Sequence, residues 1–152
     1  MSDTVSRPLR INEYLQQYWQ ELRGDRPLPF EDEVNPDVLK PIWDACFLIN
    51  RRGDAFAYSY LGDQLIEAYG GDLTGREVAE VLVYPHPQSL FDTFQRVCRE
   101  RVPMLDDNSF TNARGMHIKY RSCVLPLAAR GQEGVAFLLG GMKWKVYEAD
   151  AT

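Results

Sequence analysis

The side chains best suited to catalysis or metal binding are few in this sequence and lie far apart. His86 and His117 are the only histidines, and neither has a cysteine or a second histidine nearby. Because a structural zinc site needs about four such ligands, no metal site is expected. The sequence also lacks the G-x-S-x-G, H-E-x-x-H and G-x-G-x-x-G motifs and a phosphate-binding Gly-Lys-Ser/Thr loop. The sequence signatures of catalysis are therefore mostly absent.

The three cysteines do not form a reactive pair. Cys46 and Cys123 fall in predicted strands, Cys98 falls on the apolar side of a predicted helix, and no two have C-x-x-C spacing. Cysteines in such positions pack as small apolar groups and remain protonated. An odd number of cysteines without paired spacing is typical of a reducing compartment. We therefore expect reduced, buried thiols in a cytoplasmic protein.

Length and charge narrow the functional classes further. The chain has 152 residues, which fits one domain with its own core. Its formal net charge is −5 and it has no run of lysine and arginine, which argues against nucleic-acid binding. It has no apolar stretch of membrane-spanning length, no signal peptide and no lipidation motif. These features predict a cytoplasmic protein without a membrane span.

The first predicted element is an amphipathic helix from Ile11 to about Leu22, which Gly24 ends. Its apolar residues recur every three or four positions and include several aromatic side chains. This stripe either packs on its own domain or forms an interface with a partner or a second copy. The interface candidates are Tyr14, Leu15, Tyr18, Trp19 and Leu22.

The remaining patterns alternate between strands and helices. Strands are predicted over 46–50, 55–61, 104–111, 116–127 and 135–144, with a hairpin turn at 51–54 and a ladder that ends at Pro126. Helices are predicted from Pro36 toward Trp43, over 64–69, from Thr74 with a Thr74–Glu77 capping box, and over 87–101.

The order of these elements predicts an α+β fold. The five strands form one antiparallel sheet with helices on one face, and the N-terminal amphipathic helix is additional. The expected division is a helical extension and connector at 1–34, a domain at 35–148 and a tail at 149–152. Gly140 and Gly141 inside the last strand indicate either a bulge or the close approach of another part of the backbone.

This order of strands and helices resembles a PAS domain. The segment Gly70-Gly71-Asp72-Leu73-Thr74-Gly75-Arg76 is similar to the Gly-x-x-Leu-x-Gly-Arg turn of that family. The whole chain resembles the short stand-alone bacterial PAS proteins. The matching elements are Leu15-x-x-Tyr18-Trp19-x-x-Leu22-Arg23-Gly24, Pro27-Leu28-Pro29, Tyr58-x-x-x-Gly62, Leu73-Thr74-Gly75-Arg76 and Leu125-Pro126-Leu127.

One position departs from that subgroup. Ser59 stands where the subgroup often has an arginine directly after the tyrosine of the second strand. If that arginine holds a ligand in relatives, this chain binds a different ligand or none.

The resemblance implies a sensory or regulatory module in which a sheet cups a small cavity and the ends of the domain dock partners. It also implies that the N-terminal helix or a second subunit packs on the sheet at Gly140 and Gly141. From the residues, the candidate cavity is the aromatic side of the sheet facing the longer helix, and a filled core is the alternative. The candidate ligand-binding residues are Phe47, Tyr58, Tyr60, Phe91, Phe94, Tyr120 and Phe137, with Ser122 as the polar group.

The resemblance also bears on cofactors. Haem-binding relatives use a histidine on the longer helix, whereas His86 lies at the entry of that helix between Pro85 and Pro87. Flavin photochemistry in relatives needs a cysteine in an Asn-Cys-Arg-type segment after the second strand, and no cysteine of this chain lies there. Haem, flavin and metal are therefore not expected, and the identity of any cofactor stays open.

The expected function is a non-enzymatic sensory module that binds a small ligand, a signalling partner in trans, or both. A histidine kinase or a cyclic-dinucleotide enzyme is the expected type of partner, and a homodimer is the expected assembly. One alternative is a small-molecule enzyme on a cone-shaped α+β fold, which would need an inward His–Asp or Tyr–Asp pair; the pair that the sequence offers is His117 with Asp106 or Asp107. The other is a passive interaction module with a filled core.

Overall fold

The computed structural model describes residues 10–78 and 87–147, with the backbone alone from 87 to 90. None of the helices in these ranges is long and apolar enough to cross a membrane. The elements are α1 (Ile11–Arg23), β1 (Cys46–Arg52), β2 (Ala55–Leu61), α2 (Asp63–Tyr69), α3 (Pro87–Glu100), β3 (Met104–Thr111), β4 (His117–Leu127) and β5 (Phe137–Val146).

The five strands form one antiparallel sheet in the order β2-β1-β5-β4-β3. The predicted α+β fold with a five-stranded antiparallel sheet is thus confirmed. Strand β5 lies at the centre, because β1 pairs with it on one side and β4 on the other. The two ladders that flank β5 therefore join the β1–β2 hairpin to the β3–β4 hairpin.

The two faces of the sheet carry different helices. We call the side that contains Phe47 the α3 face, because the Phe47 ring packs against Phe94 of α3. We call the other side the α1 face, because Leu15 of α1 packs on Gly141 there. Successive residues of a strand point to opposite faces, so the register assigns every strand residue to one of them.

A register shift in the β1–β2 ladder changes the aromatic pattern predicted for β2. Leu48 pairs with Tyr60 and Ile49 pairs with Tyr58, so Ser59 is an extra residue in β2. The expectation of one aromatic face with Tyr58 and Tyr60 together was wrong, because the bulge turns Tyr60 to the α1 face. There Tyr60 stacks on Trp43 at 4.4 Å and its hydroxyl donates to the Trp43 carbonyl at 3.0 Å.

Two other local predictions were also wrong. The segment 36–42 forms successive turns, followed by a 3-10 turn at Trp43–Ala45, instead of an α-helix. Pro41 explains this difference, since it has no N–H and disfavours helical geometry at the residue before it. Thr74 does not cap a helix with Glu77, because its N–H and hydroxyl both donate to Asp72 Oδ1, at 3.0 and 2.6 Å.

The β4 ladder also extends beyond Pro126, contrary to the prediction. Pro126 pairs with Leu138, and the ladder ends one residue later at Leu127. The missing N–H is tolerated because β5 is the only described strand beside β4 at this point: the last pair with β3 is Met104 with Val124.

Candidate functional site

Aromatic side chains form a continuous cluster on the α3 face. Neighbouring rings lie 5.4 to 6.4 Å apart between centroids, within the range of favourable aromatic contacts. Phe94 and Phe47 lie at its centre and are almost completely buried. In order of contact, the aromatic cluster consists of Phe91, Phe56, Phe94, Phe47, Tyr58, Tyr69, Phe110 and Tyr120.

The aromatic cluster contains most of the predicted ligand-binding residues. It brings together Phe47, Tyr58, Phe91, Phe94 and Tyr120, and the buried Ser122 lies on the same face.

Two of the predicted residues lie elsewhere. Tyr60 is turned away by the bulge, and Phe137 pairs with Asn50 and Leu127 on the α1 face. The error at Phe137 arose because hydropathy alone does not assign a buried central strand residue to one face.

Three members of the cluster were missed as site residues. Phe56 alternates with Tyr58, so a signal for it was present in the sequence. Tyr69 ends a short helix, and Phe110 lies in a strand expected to be a polar edge. Neither residue carried a sequence signal, because only the pairing of β3 with β4 places Phe110 opposite Ile118 and beside Tyr120.

Two tyrosine hydroxyls meet inside the cluster. Tyr58 donates to the Tyr69 hydroxyl at 3.4 Å, a long bond between two buried groups. Burial is the main cause that raises the pKa of both hydroxyls, so both stay protonated. Two hydroxyls that share one hydrogen bond leave one proton for which no other described residue is an acceptor. The cluster can therefore donate a hydrogen bond to a bound molecule.

A tyrosine and a carboxylate meet at the β3–β4 edge of the cluster. Tyr120 donates to Asp106 Oδ2 at 2.9 Å, and the Ser122 hydroxyl donates to the Asp106 carbonyl at 3.4 Å. Burial raises the pKa of Tyr120 far above its ordinary value, and the Asp106 carboxylate raises it further. A tyrosine held in its protonated form serves as a hydrogen-bond donor and not as a base.

The structure does not bring together the His–Asp pair of the enzyme alternative, although Tyr120 and Asp106 form a Tyr–Asp pair on the α3 face. His117 lies opposite Thr111, with 3.2 Å between His117 Nδ1 and Thr111 Oγ1. Asp106 and Asp107 pair with Ser122 and Arg121, at least four residues farther along β4. The structure also gives no group of three or more His, Cys, Asp or Glu that could hold a metal within the described ranges. His86, the haem candidate, lies outside those ranges.

The glycine pair in β5 is contacted from both faces. The ladders on either side run through Gly140 and Gly141 without a register shift, so the pair does not form a bulge. A β-carbon at Gly140 would overlap the Phe47 ring, and one at Gly141 would lie 2.5 Å from Leu15 Cδ1. The alternative of close approach is therefore correct for the N-terminal helix. The aromatic cluster and α1 rest on adjacent residues of one strand.

Most of the apolar and aromatic side chains of α1 contact other residues of the same chain. Leu15 and Trp19 are buried against the sheet, and the Trp19 indole N–H donates to the Pro126 carbonyl at 2.8 Å. Tyr14 donates to the Val38 carbonyl at 3.1 Å, and Tyr18 accepts from the Asn35 N–H at 2.9 Å. These four side chains thus pack on their own domain, which was the first of the two alternatives for the stripe. Leu22 is half-buried.

Two buried cysteines flank Gly141 on the α1 face. Cys46 pairs with it from β1 and Cys123 pairs with it from β4. Both thiols are fully buried, and burial raises the pKa of each to about 12. The expectation that the cysteines are buried is met, and it holds for Cys98 as well.

These thiols predict a loss of stability at alkaline pH. Their pKa is higher in the folded than in the unfolded chain, so their contribution is complete below about pH 8.5 and decreases as the pH rises toward 12. We expect a loss of about 2 kcal/mol for each thiol near pH 10. Urea unfolding at a series of pH values measures it. A Cys46→Ala/Cys123→Ala variant with an equally steep alkaline decrease would contradict this assignment.

Solved structures of light-sensing domains share the fold. A fungal LOV domain photoreceptor is 18% identical, with 64% of this chain and 72% of that chain covered and a TM-score of 0.51. A light-oxygen-voltage domain from a flavin-analogue study of the domain's mechanism is 12% identical, with 66% of this chain and 76% of that chain covered and a TM-score of 0.53. The LOV domain of a blue-light activated histidine kinase from Erythrobacter litoralis is also 12% identical, with 67% of this chain and 95% of that chain covered and a TM-score of 0.53. At such identities the likeness concerns the fold alone.

One of these structures comes from a study with a flavin analogue, which weakens the sequence-based prediction that this chain binds no flavin. The positions of the three cysteines bear on flavin photochemistry. Cys46 and Cys123 lie on the α1 face, away from the aromatic cluster, and Cys98 lies near the end of α3. Two of the three cysteines therefore lie away from the aromatic cluster, whereas Cys98 is buried in the same core one helical turn after Phe94.

Comparison with known families places the chain by its sequence. No curated protein matches the chain. The family model described as PAS domain matches residues 9–142, which is most of the chain and includes α1 and all of the sheet except the end of β5. The chain belongs to the PAS domain family.

Proposed function

We propose that this PAS domain is a non-catalytic sensory module that couples its aromatic cluster to the docking of α1. The observation that supports this proposal is the contact of Phe47 and Leu15 with adjacent glycines, from opposite faces of β5. Because neither glycine has a side chain to absorb movement, a displacement of Phe47 acts on the same backbone that supports Leu15. A signal in the cluster would thereby change how firmly α1 is held.

The proposed signal is a small molecule that enters between the rings of the cluster. The unused hydroxyl proton of the Tyr58–Tyr69 pair favours a molecule with a carbonyl or ether oxygen. Ser59, which replaces the arginine common in the subgroup, is exposed and offers no positive charge for an anion. We therefore propose a neutral, largely apolar ligand with one hydrogen-bond acceptor.

The proposed output is binding in trans to a signalling protein. When α1 leaves the sheet, Leu15 and Trp19 join Tyr14, Tyr18 and Leu22 in an exposed apolar stripe, which fits a partner helix or a second copy of the chain. A cytoplasmic histidine kinase or cyclic-dinucleotide enzyme is the proposed type of partner. The histidine kinase among the similar structures is consistent with this class of output.

Native mass spectrometry of the protein purified from its own host tests the proposal directly. The expected result is a retained small molecule, and an absorption spectrum of the same sample shows whether it is a flavin. Removal of that molecule should increase hydrogen exchange of residues 11–23 and shift the monomer–dimer equilibrium. Unchanged exchange in α1 after a bound molecule is removed would refute the coupling.

A passive interaction module with a filled core is the second candidate. The unbroken series of ring contacts favours it, because the cluster members already contact one another. This candidate predicts no retained molecule and no thermal shift across a metabolite library. It also predicts that α1 exchange is the same in every sample.

A further inference from the structure

The α1 face continues beyond α1 as a group of four positively charged side chains. In the β4–β5 ladder, Lys119 lies directly opposite Lys145, and Arg121 lies directly opposite Lys143. All four are exposed and, by their register with Gly141, lie on the same face as α1. We call Lys119, Arg121, Lys143 and Lys145 the basic patch.

This arrangement is unfavourable for the isolated sheet. Like charges directly opposite each other in an antiparallel pair repel and decrease stability. Arg121 lies 3.5 Å from Asp107, and the described residues form no other ion pair with the basic patch. Three lysines therefore repel within a small area, and a negatively charged molecule bound there would relieve that repulsion.

The spacing of the basic patch fits carboxylates on a helix. Residues two positions apart on one strand are separated by about 6.6 Å, and directly opposite residues are about 5 Å apart. Glutamates at positions i and i+4 of a helix are separated by about 6 Å, which matches either spacing. Leu105, which is 60% exposed, pairs with Cys123 on the same face and offers an apolar contact beside the charges.

We propose that the basic patch docks an acidic amphipathic helix of a partner protein, with two or more carboxylates in one stripe and an apolar side chain beside them. A protein partner is favoured over nucleic acid because the whole chain has a net charge of −5 and the patch adjoins the exposed Leu105. The proposal rests on the proposed function, since it names the chemistry of the partner bound in trans. The patch begins two residues from Gly141, so the partner would contact the sheet beside the start of α1.

Fluorescence anisotropy of the full chain with a labelled helical peptide tests the proposal. The peptide carries glutamates at i and i+4 with leucines beside them, and a second peptide has the same composition in scrambled order. We expect Lys119→Gln/Lys143→Gln/Lys145→Gln to weaken binding of the first peptide about tenfold, as three exposed ion pairs would. The matched control, Lys40→Gln/Arg52→Gln/Arg76→Gln, removes the same charge from exposed sites elsewhere and should stay within about twofold.

Thermal unfolding of a Lys145→Glu variant adds a readout that does not depend on a ligand. Glutamate opposite Lys119 replaces repulsion by attraction, so we expect Tm to rise by about 1–3 °C while peptide binding weakens. Equal peptide binding by the two triple variants would overturn the proposal. So would tighter binding to a single-stranded oligonucleotide or to phosphatidylserine vesicles than to the peptide at physiological salt. Because these measurements need no small molecule, their outcome is independent of the coupling between the cluster and α1.

Discussion

A Gly140→Ala variant is expected to be less stable than the wild type by about 2–3 kcal/mol, because its methyl group would overlap the Phe47 ring. Phe47 is almost completely buried and packs against Phe94 and Tyr58, so its ring cannot move away from the methyl group without disturbing these contacts. Urea unfolding measures the loss. Near-ultraviolet circular dichroism reports whether the aromatic cluster has rearranged.

Gly71→Ala is the matched control for this substitution. No atom lies within 4 Å of the added methyl group, so the free energy of unfolding should change by less than about 1 kcal/mol. Phe47→Leu in the Gly140→Ala background should recover part of the loss, which a double-mutant cycle measures. Strict additivity of the two substitutions would show that the ring does not rest on Gly140.

Leu15→Ala is expected to have an effect of similar or larger size, about 3–4 kcal/mol, because Leu15 is fully buried between α1 and the sheet. The loss should be concentrated in α1. Hydrogen exchange of residues 11–23 should therefore increase more than exchange of the β4–β5 ladder, which keeps its own pairing.

Gln17→Ala controls for the change in helix propensity. Gln17 is exposed on α1, so its replacement should leave both the free energy of unfolding and the exchange of α1 nearly unchanged. A uniform increase of exchange over all elements in Leu15→Ala would mean that α1 and the sheet open as one unit. In that case α1 could not be released as the proposed function requires.

The sequence was informative wherever one pattern had a single physical solution. The three- and four-residue spacing from Ile11 to Leu22 predicted α1, since only a helix places those side chains on one stripe. The five strands were likewise predicted in number and order. Their bounds differed by at most two residues at either end.

The errors came from features that depend on pairing between distant segments. The alternation in β2 continues through Ser59 without interruption in the sequence, and only its pairing with β1 shows that Ser59 is an extra residue. Similarly, nothing near Lys119 in the sequence indicates that Lys145 lies opposite it. Register is a property of two strands, so a local pattern does not determine it.

The glycine pair lay between these two cases. Glycines inside a strand pattern indicated that something unusual happens at Gly140 and Gly141, but a bulge and a close approach give the same local pattern. Only the positions of Phe47 and Leu15 distinguish the two, and both residues are distant in sequence from β5.

The central place of β5 has a consequence for how the chain folds. It is the last of the described strands, yet β1 and β4 meet only through it. The β1–β5 pairing joins segments about ninety residues apart, and contacts of such sequence separation close slowly. During synthesis β1 and β4 therefore each keep one edge unpaired until β5 leaves the ribosome. In that interval the chain is most exposed to aggregation and to chaperones.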